Sequence, residues 1–131
     1  MKIRLDYVTN SSSSSFIIAK HKDCTLDEIK NKLSEDKIKK RIKNIIVDYG
    51  KYADIPDDNY ILAISHEDYD KATEIAIDDI AHDLYRQTNG GLKLDNWTVI
   101  SSECSNETDN YIDAFIYDSG YMVNTPNFKI E

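Results

Sequence analysis

Residues 65–91 constrain the fold more than any other segment. Ser65-His66-Glu67-Asp68 has the form of a capping box: a hydroxyl and, three residues on, a carboxylate, each able to satisfy an orphan amide at a helix start. Behind it Tyr69, Ala72, Thr73, Ala76, Ile77, Ile80 and Leu84 recur at helical spacing, and Asn89-Gly90-Gly91 stops the run. A helix with such a stripe is marginal alone and must lay it against a second layer.

The flanking segments supply that layer as strands. Lys2 to Val8 alternate, with Ile3, Leu5 and Tyr7 on one side and Lys2, Arg4 and Asp6 on the other, the period of a half-buried strand. Phe16–Ala19 reads as a second short strand, and the polar run Thr9–Ser15 as the hairpin loop between them. Trp97–Cys104 and Asn110–Tyr117 read as two more strands joined by residues 105–109. On the latter, Ile112, Ala114 and Ile116 alternate with Tyr111, Asp113, Phe115 and Tyr117. Tyr121-Met122-Val123 and Phe128–Ile130 are expected to supply a short last strand, which Pro126 confines to an edge or a strand start.

Between the two strand regions, Thr25-Leu26-Asp27-Glu28 is a second capping box, followed by the stripe Leu26, Ile29 and Leu33. The rhythm slips before Ile38, Ile42, Ile45, Ile46 and Tyr49. The spacing predicts two helices, or one kinked helix, with Ser34-Glu35-Asp36 capping the second part and Gly50 ending it. Pro56–Asn59 marks a turn. Tyr60-Ile61-Leu62-Ala63-Ile64, apolar at every position, predicts a central strand covered on both faces. The expected order is β-β-α-α-β-α-β-β-(β): an α+β fold, mainly antiparallel sheet with two to three helices, in a single domain spanning residues 1–131.

Composition narrows the class. The longest apolar run is Tyr60–Ile64, far short of the ~20 residues of a membrane helix, and Met1–Asp6 alternates charge and hydrophobe where a secretory signal would be apolar. Cys24 and Cys104 stand apart with no CxxC, so neither a disulfide scaffold nor a zinc module is expected. The expectation is a soluble cytoplasmic protein. Its formal charge of −8 is unevenly spread: 12 Lys/Arg against 7 Asp/Glu up to Lys51, then 4 against 17.

Three features carry candidate chemistry. Asp70, Glu74, Asp78 and His82 recur every four residues and wind slowly along the 65–91 helix, away from its core stripe. With Asp79, and with Asp109 and Asp113 if the hairpin lies alongside, they form a carboxylate track that can imitate a phosphate backbone. The competing reading is a solvated acidic face, against which the basic run Lys37, Lys39, Lys40, Arg41 and Lys43 could dock. As a nucleic-acid contact, five cations in a chain with 24 acids are a weak signal. As a metal site, Asp78 or Asp79 with His82 supplies two ligands where catalytic zinc needs about three, and His66 lies at the far end of the helix. No metal and no cofactor are expected. The hydroxyl run lacks a GxSxG or a phosphate-loop pattern, and no glycine precedes Gly50, so a nucleophile is not expected there. The alternative is an anion-binding nest of Asn10, Ser11, Ser12, Ser13, Ser14 and Ser15 completed by Arg4.

Residues 2–17, KIRLDYVTNSSSSSFI, resemble the opening K-x-R-x-x-F-V-T-N-S-S-S-S-S-F-I of a group of proteins from low-GC Gram-positive bacteria and their phages, with Tyr7 where Phe is usual. The resemblance covers sixteen residues. It implies a bacterial, phage or mobile-element source and carries no reaction with it. The resulting expectation is a non-catalytic interaction protein that binds a protein partner through its acidic second part, with a nucleic-acid mimic that occupies a nucleic-acid-binding protein as the sharpest case. Neither direct nucleic-acid binding nor a membrane is expected. An anion- or phosphate-ligand-binding domain built on the serine run, which leaves an enzymatic role open, is the alternative.

Overall fold

A computed structural model describes residues 4–6, 13–50, 55–105 and 123–131. In chain order the elements are β1 (Arg4–Asp6), β2 (Ser13–His21), α1 (Leu26–Leu33), α2 (Asp36–Tyr49), α3 (Asp58–Ser65), α4 (Tyr69–Thr88), β3 (Leu92–Leu94), β4 (Trp97–Ser105) and β5 (Phe128–Ile130). The fold is α+β, and among the described residues every strand pairing is antiparallel.

β2 is the axis of the sheet. β4 runs along its whole length, from Ser13↔Ser105 to His21↔Trp97. The opposite edge of β2 is shared by β1, facing Ser14–Phe16, and β5, facing Ile18–Lys20. β3 pairs with β4 at the far edge through the turn Asp95-Asn96. The two-residue period of a strand then sorts side chains by face. Phe16, Ile18 and Lys20 of β2, with Phe128 and Ile130 of β5, are buried under the helices. Ile17, Ala19 and His21 point the other way and are half-buried.

α4 is the hub of the helical layer. It lies on β2 and β4, and α1, α2 and α3 each pack on it. Its buried residues are Ala72, Thr73, Ala76, Ile77, Ile80, Ala81, Leu84 and Thr88, close to the expected stripe. The small side chains at 72, 76 and 81 let neighbouring helices approach, and Ile29, Leu33, Ile38, Ile42 and Ile46 fill the space from α1 and α2. Among the described residues no helix is long and apolar enough to cross a membrane.

Several expectations need correction. Tyr60–Ile64 is helix α3 rather than a strand: Asp57 accepts from the Asn59 amide at 2.8 Å and starts a helix whose Tyr60 and Ala63 are buried. A short run that is apolar all round fits either structure by periodicity, and the cap decides between them. The helices therefore number four among the described residues, against two to three expected. Ser13–Ser15 belong to β2 and not to a loop. β3, three residues long, offers too little pattern for the sequence to mark it. In the box at 65–68, Asp68 is the N-cap of α4, accepting from the Lys71 amide at 3.3 Å, while the Ser65 hydroxyl donates back to the Leu62 carbonyl within α3.

The other caps divide similarly. Thr25 accepts from the Glu28 amide at 3.2 Å as expected, but the Glu28 carboxylate turns to the far end of the chain. It accepts from the Asn127 amide at 3.0 Å, from Asn127 Nδ2 at 2.9 Å and from the Thr125 hydroxyl. The Ser34 hydroxyl donates to the Lys30 carbonyl at 2.8 Å, so it closes α1 and does not open α2. The expected strand Asn110–Tyr117 lies outside the described residues.

Candidate functional site

The carboxylate stripe lies where α4 meets α1 and α2, and lysines of those helices reach it. Lys43 Nζ is 2.7 Å from Asp70 Oδ1, Lys39 Nζ 3.9 Å from Glu74 Oε1 and Lys30 Nζ 2.9 Å from Asp78 Oδ1. Hydrogen bonding and charge from Lys43 hold the Asp70 carboxyl below the usual carboxylate range, and Asp78 in the same way raises the Lys30 ammonium. Asp79 is half-buried and also engaged. The expected unneutralised track is therefore an intramolecular seam: acids spaced by four on one helix face lysines on two neighbours. A nucleic-acid mimic requires the opposite arrangement. Asp109 and Asp113 lie outside the described residues.

Nor does the serine run form the expected cradle where it is described. Ser14 faces Asp6 on one side and Cys104 on the other, and Ser15 faces Leu5 and Glu103. Successive amides in a strand point alternately to its two neighbours, whereas a nest needs them converging on one point. Arg4 pairs with Phe16 in the same ladder. Asn10, Ser11 and Ser12 lie outside the described residues. His82 meets Asp78 at 3.6 Å, as their spacing allows, and among the described residues no three His, Cys, Asp or Glu side chains are placed to hold a metal ion.

A different surface emerges at the end of the helical layer, where α2 stops, α3 lies across and α4 begins. Gly50 brings the helices into contact: a Cβ there would fall 3.0 Å from Ile46 Cγ2 and 3.0 Å from Ile64 Cδ1. The Tyr60 hydroxyl donates to the Gly50 carbonyl at 2.9 Å, and burial pushes its pKa up to about 12. Between these elements is a groove of about 270 Å³ with Ile46, Val47, Ile64 and Tyr69 along its walls and Asp48 and Glu67 among its lining residues. Asp48 also borders a second groove of about 420 Å³ with Arg41, Asn44, Ile45 and Tyr49. On α3, Ile61 is 59% and Leu62 56% exposed, and Val47 and Tyr49 of the last turn of α2 are similarly open.

The carboxylates at this end differ from those of the seam. Asp48, Asp58, Glu67 and Asp68 are exposed, and among the described residues none lies in an ion pair. Glu67 has φ 57. Its amide bonds the Ile64 carbonyl at 3.1 Å and the Asp68 amide bonds the Ala63 carbonyl at 2.8 Å, the paired bonds of a Schellman helix stop, in which glycine is the usual left-handed residue. The signal for this surface was present in the sequence: a five-residue apolar run flanked by acids, with no charge inside it. Read as a strand, the run had both faces covered. As a helix it leaves one side in water.

Compared with known proteins, the chain matches no family model, no curated protein and no solved structure.

Proposed function

We propose that the protein works by binding a macromolecular partner, without catalysis, at the acidic end of its helical layer formed by the last turn of α2, by α3 and by the start of α4. One observation carries this reading: Ile61 and Leu62, adjacent on α3, are each more than half exposed among carboxylates that no described cation neutralises. Exposed large apolar side chains that stand together favour a contact that removes them from water, at roughly 25 cal/mol per Å² buried. The surrounding negative charge selects a basic partner and steers its approach. A basic nucleic-acid-binding protein fits that description. The likeness of residues 2–17 to Gram-positive bacterial and phage proteins indicates the extracts in which to look, and cytoplasmic action fits that source.

The test compares the wild type with an Ile61→Ser/Leu62→Ser variant and with a seam variant, Asp70→Asn/Glu74→Gln/Asp78→Asn, as immobilised baits in such extracts. A partner should be lost with the first variant, be retained with the second and be released as salt rises. Equal retention by all three baits, or loss with the seam variant alone, would remove the proposed surface.

A further inference from the structure

We infer that the groove between the last turn of α2 and the α3–α4 junction is an anchor subsite for one apolar side chain standing next to lysine or arginine in the partner chain. The inference rests on the reading above and narrows it to one cavity and one class of sequence.

Size comes first. About 270 Å³ is at or below the ~300–1,000 Å³ of pockets that enclose whole small ligands, and suits a side chain or two presented by a larger partner. Lining chemistry comes next. Ile46, Val47, Ile64 and Tyr69 supply apolar surface beside the polar surface of Asp48, Ser65 and Glu67, and no described cation lines the groove, so an aliphatic side chain can pack on the one part while a polar neighbour meets the other. The two charged groups are Asp48 from α2 and Glu67 from the α3–α4 turn, one from each wall, and both are exposed. A lysine or arginine beside the anchor can lay its methylenes along the apolar wall and bring its head to these carboxylates. An acidic neighbour would meet like charge from both walls, and this repulsion supplies selectivity.

The subsite is also formed in advance. Contact at Gly50 and the hydrogen bond from Tyr60 to its carbonyl fix α3 against α2, and the helix stop at Glu67 fixes the backbone that carries one rim carboxylate. A partner therefore does not have to order these walls as it binds.

The experiment titrates the full chain, isotope-labelled for NMR, with two blocked pentapeptides, Ala-Lys-Leu-Lys-Ala and Ala-Glu-Leu-Glu-Ala. The basic peptide should shift the signals of Ile46, Val47, Ile64 and Tyr69 and saturate, while the acidic one should leave them in place. The Asp48→Asn/Glu67→Gln variant, altered only at exposed positions, should bind the basic peptide about three- to tenfold more weakly. An equal response to both peptides, or none to either, overturns the subsite. Shifts confined to Ile61 and Leu62 overturn it as well but leave the wider surface standing. Conversely, specific groove binding with full partner retention by the Ile61→Ser/Leu62→Ser bait would overturn the wider reading alone.

Discussion

The Lys20 ammonium lies 3.7 Å from the centroid of the Tyr85 ring and donates to the Tyr85 backbone carbonyl at 3.0 Å. Nζ also donates to Asn89 Oδ1. A lysine on the core face of a central strand would ordinarily be a liability. Here the last turn of α4 offers carbonyls that no intrahelical amide can satisfy, the negative end of a helix dipole and an aromatic face. Lys20 is thus a C-terminal cap delivered across the sheet–helix interface by a residue 65 positions earlier than its acceptor.

Burial nevertheless holds the Lys20 pKa below the ordinary lysine value, with Cys24 opposing the shift. Between the lowered folded value and the unfolded one of about 10.4, the unfolded chain binds more protons at this site, so the contribution of Lys20 to stability rises with pH in that window, against the fall contributed by Cys24, whose thiol is pushed up by burial to about 11. Lys20→Met should remove this rise, and urea unfolding of both proteins from about pH 8 to 10.5 should show it. Identical pH profiles would refute the assignment. Lys20→Ala, which leaves a void and removes the donor to Asn89 Oδ1 while the Thr88 hydroxyl still donates to the Tyr85 carbonyl at 2.9 Å, should cost about 2–4 kcal/mol at neutral pH.

Glu28 ties the start of α1 to the turn before β5. Burial works against its carboxylate, but hydrogen bonds from Thr125 and Asn127 outweigh that and hold the pKa below the usual glutamate value. A lowered folded pKa gives stability that is complete above the unfolded value and is lost as pH falls through the folded one. Glu28→Gln should cost about 2 kcal/mol at pH 7 and should be less sensitive to acid below about pH 4.5 than the wild type. A variant whose acid unfolding still parallels the wild type would show that the clasp contributes little.

Legibility followed the strength of local pattern. The 65–91 helix, the α1–α2 break and the strand character of residues 16–19 were readable because each buries one face and the period shows which. Tyr60–Ile64 misled because it is apolar all round, and only the Asp57 cap marks it as a helix. The serines at 13–15 misled because strand propensity is weak and sheet position overrides it. Glu28 and Lys20 find partners 97–99 and 65–69 residues away, and no local spacing announces them. The acidic stripe was visible as a row, but its neutralisation by lysines of α1 and α2 depends on helix packing. The groove at Glu67 likewise exists only once three helices meet.

The seam itself should matter little to stability. Asp70 and Glu74 are largely exposed, and surface pairs of this kind are screened by solvent and salt. Asp70→Asn/Glu74→Gln should shift the thermal midpoint only slightly in low salt and not at all at about 0.5 M salt. A large loss that persists in salt would mean that these pairs hold α2 on α4.

Gly91 occupies a position that only glycine tolerates. A Cβ there would fall 2.5 Å from the Val99 carbonyl oxygen and 2.5 Å from Ile100 Cγ2. The first is backbone of a paired strand and cannot move aside as a side-chain tip can. Gly91→Ala should therefore destabilise by about 1–3 kcal/mol, with hydrogen exchange rising first in the β3–β4 hairpin. Gly90, with open space around it, is the control, since Gly90→Ala meets no such contact.

Glu67 gives the clearest separation of folding from binding. Its left-handed φ of 57 costs a side-chain-bearing residue about 1–2 kcal/mol that glycine does not incur. Its carboxylate has no ion pair among the described residues, so folding gains nothing visible from keeping it. Glu67→Gly should raise the unfolding free energy by about 1 kcal/mol, because relief of the backbone strain exceeds the entropy glycine adds to the unfolded chain. The same change removes one of the two rim charges and should weaken the basic pentapeptide. A chemical melt and a peptide titration on one protein sample then read both effects. A more stable protein that binds less well is the expected result, and a destabilised one would show that the glutamate serves the fold.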